Sequence, residues 1–170
     1  MKSTKFTLIS FLLLSCLNNV SANEYVGISM GQSSIDLEGY DPGFFYKFYG
    51  GIHNKYLGFE GSYNRLARFD ISGKNNGSVS ASGIAGSVIA FLPVISNFEL
   101  FAKLGIFSWS ATGEINAKPP INNKGTDITY AFGMQYNVGK KLTVRVEYQV
   151  YKDVLSGEVT SITTGLGFRF

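Results

Sequence analysis

From residue 25 onward, apolar and polar residues alternate with a period of two in short stretches separated by turns. Such a period places successive side chains on opposite faces of an extended strand. The clearest case is "LTVRVEYQVYK" at 142–152, where Val144, Val146, Tyr148 and Val150 share one face and Thr143, Arg145, Glu147 and Gln149 the other. The stretch "VTSITTGLGFRF" at 159–170 sets Ile162, Thr164, Leu166, Phe168 and Phe170 against Ser161, Thr163, Gly165, Gly167 and Arg169. A chain end is normally a place for disorder, so a terminal strand with an apolar face needs an apolar neighbour.

The same reading predicts strands over 25–31, 43–52, 56–71, within 78–92, and over 98–109 and 127–137, which makes eight with the two above. The fourth lacks enough contrast to assign its faces. Phe44, Tyr46 and Phe48 alternate on the second strand, and Tyr130, Phe132 and Tyr136 on the sixth. Short turns, "HNK" at 53–55, "PVISN" at 93–97 and "VGKK" at 138–141, follow the even strands. Longer segments, 32–42, "SGKNNG" at 72–77, 110–126 and "DVLSGE" at 153–158, follow the odd ones. If neighbours run antiparallel, the short turns and both chain ends lie at one end and the longer loops at the other. This is the layout of an all-β, eight-stranded antiparallel transmembrane barrel with short periplasmic turns and longer extracellular loops. Closure removes the unpaired edges that hydrocarbon would not tolerate.

Register also predicts an interior. Glu60 falls with Gly58 and Ser62, Lys103 with Gly105 and Phe107, and Gln135 with Ala131 and Gly133, each opposite an apolar set. These residues lie a few positions from the short-turn end, so at about 3.3 Å per residue they share one or two layers. A polar network of Glu60, Lys103, Gln135, Arg145, Glu147 and Gln149 is therefore expected, in a lumen narrow enough for side chains to fill.

The first 22 residues change the picture of composition. Lys2 and Lys5, an apolar run from Phe6 to Leu14, and Val20, Ser21, Ala22 are the order of a secretory signal peptide. The apolar core is too short for a spanning helix. Cleavage after Ala22 leaves one domain, 23–170, without cysteine; the alternative reads "LLSC" as a lipoprotein site with Cys16 as the lipidated first residue. The leader holds two of 15 basic residues and none of 12 acidic ones, leaving 13 against 12. That balance, with no basic tract, gives no footprint for nucleic acid. The 14 Phe, 10 Tyr and 20 Gly suit aromatic outer faces and closely approaching walls.

Catalytic chemistry has little to build on. The sole histidine, His53, lies in a predicted short turn, where a solvated turn residue is expected, and it has no compact ligand set around it for a metal. No enzyme activity and no cofactor are expected. The competing readings are a lipid-modifying outer-membrane enzyme and a soluble ligand-carrying barrel, since alternation alone does not say which face meets water.

The segments "NKYLGFEGSYNRL", "AKLGIFSW", "YAFGMQYNVGKKLTVRVEYQV" and the final "GLGFRF" resemble the OmpA-like family of eight-stranded outer-membrane barrels. The resemblance implies that Glu60, Lys103 and Arg145 belong to the family's interior ionic network and that Glu147 is the acid of its Arg-x-Glu-Tyr segment. Gln135 stands where the family often has glutamate, which removes one charge. Leu166, Phe168 and Phe170 resemble the signal read by the outer-membrane barrel assembly machinery. The family's peptidoglycan-binding domain is not carried over, because the sequence stops after the barrel. The expectation is a monomeric barrel in the cell outer membrane, in contact with outer-membrane lipids. Its role is structural or surface-interacting, with at most small conductance. Asp36, Glu38, Asp41 and Lys118 are the candidate loop contacts for an extracellular partner.

Overall fold

The computed structural model describes residues 23–36, 42–71, 77–115, 121–154 and 157–170. Eight strands follow one another: β1 Asn23–Ile35, β2 Gly43–His53, β3 Leu57–Ile71, β4 Gly77–Ile95, β5 Phe98–Ile115, β6 Ile121–Val138, β7 Leu142–Val154 and β8 Gly157–Arg169. Each pairs antiparallel with the next, and β8 pairs with β1 from Tyr25↔Arg169 to Ile35↔Val159, closing the barrel. Closure satisfies the main-chain donors and acceptors of the terminal strands, and the amide of Phe170 donates to Glu24 O at 3.0 Å.

Alternation becomes an inside and an outside. Val26, Ile28 and Met30 of β1, Phe44 and Phe48 of β2, Leu57, Phe59 and Tyr63 of β3, and Ile162, Leu166 and Phe168 of β8 are exposed on the outer wall. Their sequence neighbours Tyr25, Ser29, Phe45, Lys47, Tyr49, Glu60, Asn64, Ser161 and Thr163 are buried in the lumen. On β4 the inward set is Ala81, Ala85, Ile89 and Phe91, and Ile84, Val88 and Leu92 face out.

The short turns are built by local chemistry. Asn54 Oδ1 accepts from the amides of Tyr56 and Leu57, both at 2.8 Å, while the Asn54 amide donates to Leu57 O at 2.8 Å. Gly139 takes φ of 66° between β6 and β7, which glycine adopts without steric cost.

Several boundaries differ from the sequence-based expectation. β1 continues to Ile35, and β4 runs through Pro93 to Ile95, so that the turn is Ser96–Asn97 instead of the whole of "PVISN". Pro93 is tolerated because the ladder is already irregular there, with a register shift between Pro93 and Ile95. Most of 110–126 is strand as well: Ala111↔Asn123 and Thr112↔Asn122 extend the β5–β6 ladder. Polar composition had marked a loop, but a ladder needs only paired backbones. A bulge between Tyr151 and Val154, with Asp153 at φ 51°, turns Val154 inward beside Tyr151. Val150 lies on the outward register yet is only 2% exposed, flanked by its partners Tyr130 and Thr160.

Candidate functional site: the filled interior

Inward residues of β2, β3, β5, β6 and β7 meet in the half of the lumen nearer the short turns. Glu60 is the hub. Its Oε1 receives Lys103 Nζ at 2.7 Å, and its Oε2 receives Arg145 Nη1 at 2.6 Å and the Tyr25 hydroxyl at 2.9 Å. Lys103 also pairs with Glu147 Oε2 at 2.5 Å, and the second oxygen of Glu147 takes the ammonium of Lys47. Two carboxylates and three cations thus form one connected cluster from four strands.

Neutral groups satisfy what remains. Arg145 Nη2 and Nε donate to Gln135 Oε1 at 2.9 and 3.3 Å, and Gln135 Nε2 donates to Glu99 at 2.5 Å. Lys47 donates to Gln149 Oε1 at 3.2 Å, Gln149 Nε2 to Thr129 Oγ1 at 2.9 Å, and Thr129 in turn to Val150 O at 2.8 Å. The Arg145 guanidinium lies 4.7 Å from the ring centroids of both Tyr49 and Phe101 and 5.4 Å from Tyr25. A planar cation held between rings and forked onto two oxygens is a site for arginine rather than lysine. Gly27 and Gly133 make room for those rings: a Cβ on Gly27 would come within 2.3 Å of Tyr49, and one on Gly133 within 2.5 Å of Phe101.

The other half of the lumen is mainly apolar. Ile35, Phe45, Leu66, Ala81, Ala85, Phe107, Trp109, Ala111, Tyr151, Val154 and Val159 pack into one buried cluster. Tyr151 sits at its centre, 4.7 Å from the Phe107 ring and 6.4 Å from that of Phe45. Trp109 Nε1 donates to Asp127 Oδ2 at 2.6 Å toward the loop end. A smaller buried group, Ile89, Phe91 and Phe101, closes the short-turn side.

The six polar residues singled out from register, Glu60, Lys103, Gln135, Arg145, Glu147 and Gln149, are all buried and lie in this one cluster. Lys47, 1% exposed, is the ammonium that sequence reasoning missed, along with the hydrogen-bonding partners Tyr25, Glu99 and Thr129. Its signal was present in "GFFYKFYG", where Phe45, Lys47 and Tyr49 alternate with Phe44, Tyr46 and Phe48, but aromatics on both faces hid it. His53 corrects another expectation. It is not a solvated turn residue but is 7% exposed at the end of β2, its ring 4.7 Å from Phe91 and its Nδ1 2.7 Å from Asn54 O. Burial against aromatics comes with closure, which brings β4 over a position that is terminal in β2.

Leu166, Phe168 and Phe170 stand exposed in one outward row, with Phe168 and Phe170 rings 5.3 Å apart. Asp36 is exposed just beyond β1, its amide donating to Glu158 O at 2.9 Å. Glu38, Asp41 and Lys118 lie outside the described residues. Among the described residues no group of three His, Cys, Asp or Glu side chains is placed to hold a metal ion.

A closed ring of eight antiparallel strands, apolar on its outer wall and charged within, defines a transmembrane β-barrel. The sequence model of the outer membrane protein β-barrel domain matches residues 6–170. The chain belongs to that family, and its location is the outer membrane. It is 26% identical over 127 residues to Outer membrane protein A of Escherichia coli O157:H7, covering 69% of this chain and 36% of that protein. For Outer membrane protein A of Salmonella typhi the identity is 27% over 131 residues, covering 69% and 37%. The chain therefore spans little more than a third of the length of these curated relatives. Among solved structures, Ail, the attachment invasion locus protein of Yersinia pestis, superposes with a TM-score of 0.66 at 17% identity, over 88% of this chain and 99% of Ail. Neisserial surface protein A does so with 0.65 at 14% identity, over 88% and 97%. These likenesses carry the fold.

Proposed function

We propose that this chain is a closed, monomeric outer-membrane barrel of the OmpA-like kind, whose role is to span and present surface rather than to conduct. The observation that carries the reading is the two-part filling of the lumen. A connected ion cluster occupies one half, and a packed, mainly apolar layer around Phe107 and Tyr151 fills the other. An ion crossing that layer would have to shed most of its water against apolar side chains, with the Tyr151 hydroxyl among the few polar groups there. With the longer loops outside, the contacts offered to an extracellular partner are Asp36, exposed just beyond β1, and, outside the described residues, Glu38, Asp41 and Lys118. Leu166, Phe168 and Phe170 serve the assembly machinery, and residues 1–22 act as a leader removed after Ala22.

Planar-bilayer recording of the purified barrel tests this. The expected trace shows no discrete conductance steps; reproducible single-channel steps from the wild-type protein would overturn the closed-barrel reading.

A further inference from the structure

The outer wall is not evenly clad. On β2, β3 and β4 the outward row consists of Gly50, Gly61 and Gly86, paired side by side as Gly50↔Gly61 and Gly61↔Gly86. Phe48, Tyr63 and Ile84 rise from the next row toward the loops, and Phe59 and Val88 from the row toward the turns. A Cβ on Gly61 or Gly86 would touch nothing within 4 Å. At Gly61 and Gly86 missing side chains, not a crowded backbone, cut a groove, whereas a Cβ on Gly50 would press on Tyr25 O at 3.3 Å. Two hollows of about 940 and 810 Å³ share Gly50 and Gly61 as floor, so the groove runs from Leu142 and Phe168 across to Leu104 and Ile128.

The mouth of this groove toward the short turns carries both signs of charge. Lys141 places its ammonium 5.6 Å from the Phe168 ring, with exposed Lys140 beside it. Glu24 is exposed on the outward register of β1, two residues below Val26, and its strand neighbour on the other side is Phe170. Cation and carboxylate thus flank the end of β8 on either side. Arg169 does not neutralise Glu24 there, because its side chain turns to Gly139 O at 3.3 Å.

An apolar groove in hydrocarbon is filled by something flexible and apolar, and a mouth with lysines on one side of β8 and a carboxylate on the other offers a partner to each pole of a zwitterion. We propose that this groove is a binding site for one glycerophospholipid bearing a phosphate and a primary ammonium. An acyl chain lies over Gly50, Gly61 and Gly86, the phosphate meets Lys141, and the ammonium meets Glu24. The proposal rests on the reading that the short-turn end lies in the inner leaflet, where such lipids reside.

The test is native mass spectrometry of the folded barrel released from detergent, with phosphatidylethanolamine, phosphatidylcholine and phosphatidylglycerol of one acyl composition supplied in turn. The wild type is expected to retain phosphatidylethanolamine in preference to the other two. Gly61→Leu fills the groove and is expected to lower retention of every lipid about tenfold. Gly86→Leu repeats the test should Gly61→Leu fail to fold, as judged by heat-modifiable gel mobility. Glu24→Lys leaves the groove open and is expected to shift preference to phosphatidylglycerol. Retention equal for all three headgroups, or unchanged in a folded Gly61→Leu barrel, overturns the site while the barrel reading stands. So does a lipid-free dimer abolished by Gly61→Leu, which would make a second copy the occupant. Failure of the underlying reading shows separately, as labelling of Lys140→Cys, in the β6–β7 turn, by a membrane-impermeant thiol reagent on intact cells.

Discussion

The two halves of the lumen are filled by opposite chemistries. Near the short turns, Glu60 and Glu147 are held by Lys47, Lys103 and Arg145 with 3% or less of each carboxylate side chain exposed. Near the loops, Phe45, Phe107, Leu66 and Tyr151 meet with no charge among them. The apolar half draws its stability from area removed from water and from close packing. The ionic half has a different logic. Desolvating the charges costs about as much as their attraction returns, so the intact cluster need not be net stabilising, but losing one member strands the rest. On the proposed closed-barrel reading, sealing belongs to the apolar half and fixed register to the ionic one.

The sharpest way to break this distinction is Glu60→Ala, which leaves Arg145 and Lys103 short of a counter-charge. It is expected to cost about 3–5 kcal/mol in denaturant unfolding from lipid vesicles, against little change for exposed Asp36→Ala. Equal midpoints for the two variants would remove the ionic half from the account. Phe107→Ala, in the centre of the apolar layer, is expected to cost about 3 kcal/mol by the same measurement. It should also differ in kind, since bilayer recordings are expected to show leak currents for Phe107→Ala and none for Glu60→Ala. The reverse pattern would move the seal into the ion cluster.

Lys47→Met comes next, at about 2 kcal/mol, because Glu147 keeps Lys103 and only the contacts to Lys47 are lost. Adding Glu147→Gln to it is expected to recover part of that loss in a double-mutant cycle, and strict additivity would show that the pair is uncoupled. The smallest effect is expected at Lys152, whose pairing with Glu158 is solvated at the loop end. Lys152→Ala should leave the unfolding midpoint unchanged in low and high salt alike.

Much of the barrel was legible because its strands repeat with period two. "LTVRVEYQV" alone separates Arg145, Glu147 and Gln149 from Val144 and Val146, and the same rule places Glu60 and Lys103. The fourth strand was not legible in this way, since "SVSASGIAGS" is built from small residues with little contrast between faces. Nor was the extent of β5 and β6, whose polar ends look like loop until their backbones pair. Lys47 was hidden by aromatics on both faces of β2. The apolar layer was obscured for a related reason: Phe107 and Tyr151 read as ordinary aromatics until the lumen gave them a common neighbour.

The sequence by itself determined how many strands there are and, on all but the fourth, which side chains share a face. These are properties of single strands, because side-chain alternation is fixed by the extended backbone within a few residues. Tertiary structure alone decided that Arg145 meets Glu60, 85 positions away, that His53 is covered, and that charge and hydrocarbon divide the lumen between them. Those facts depend on the register of every ladder at once, and register around a ring exists only after the last strand has paired with the first.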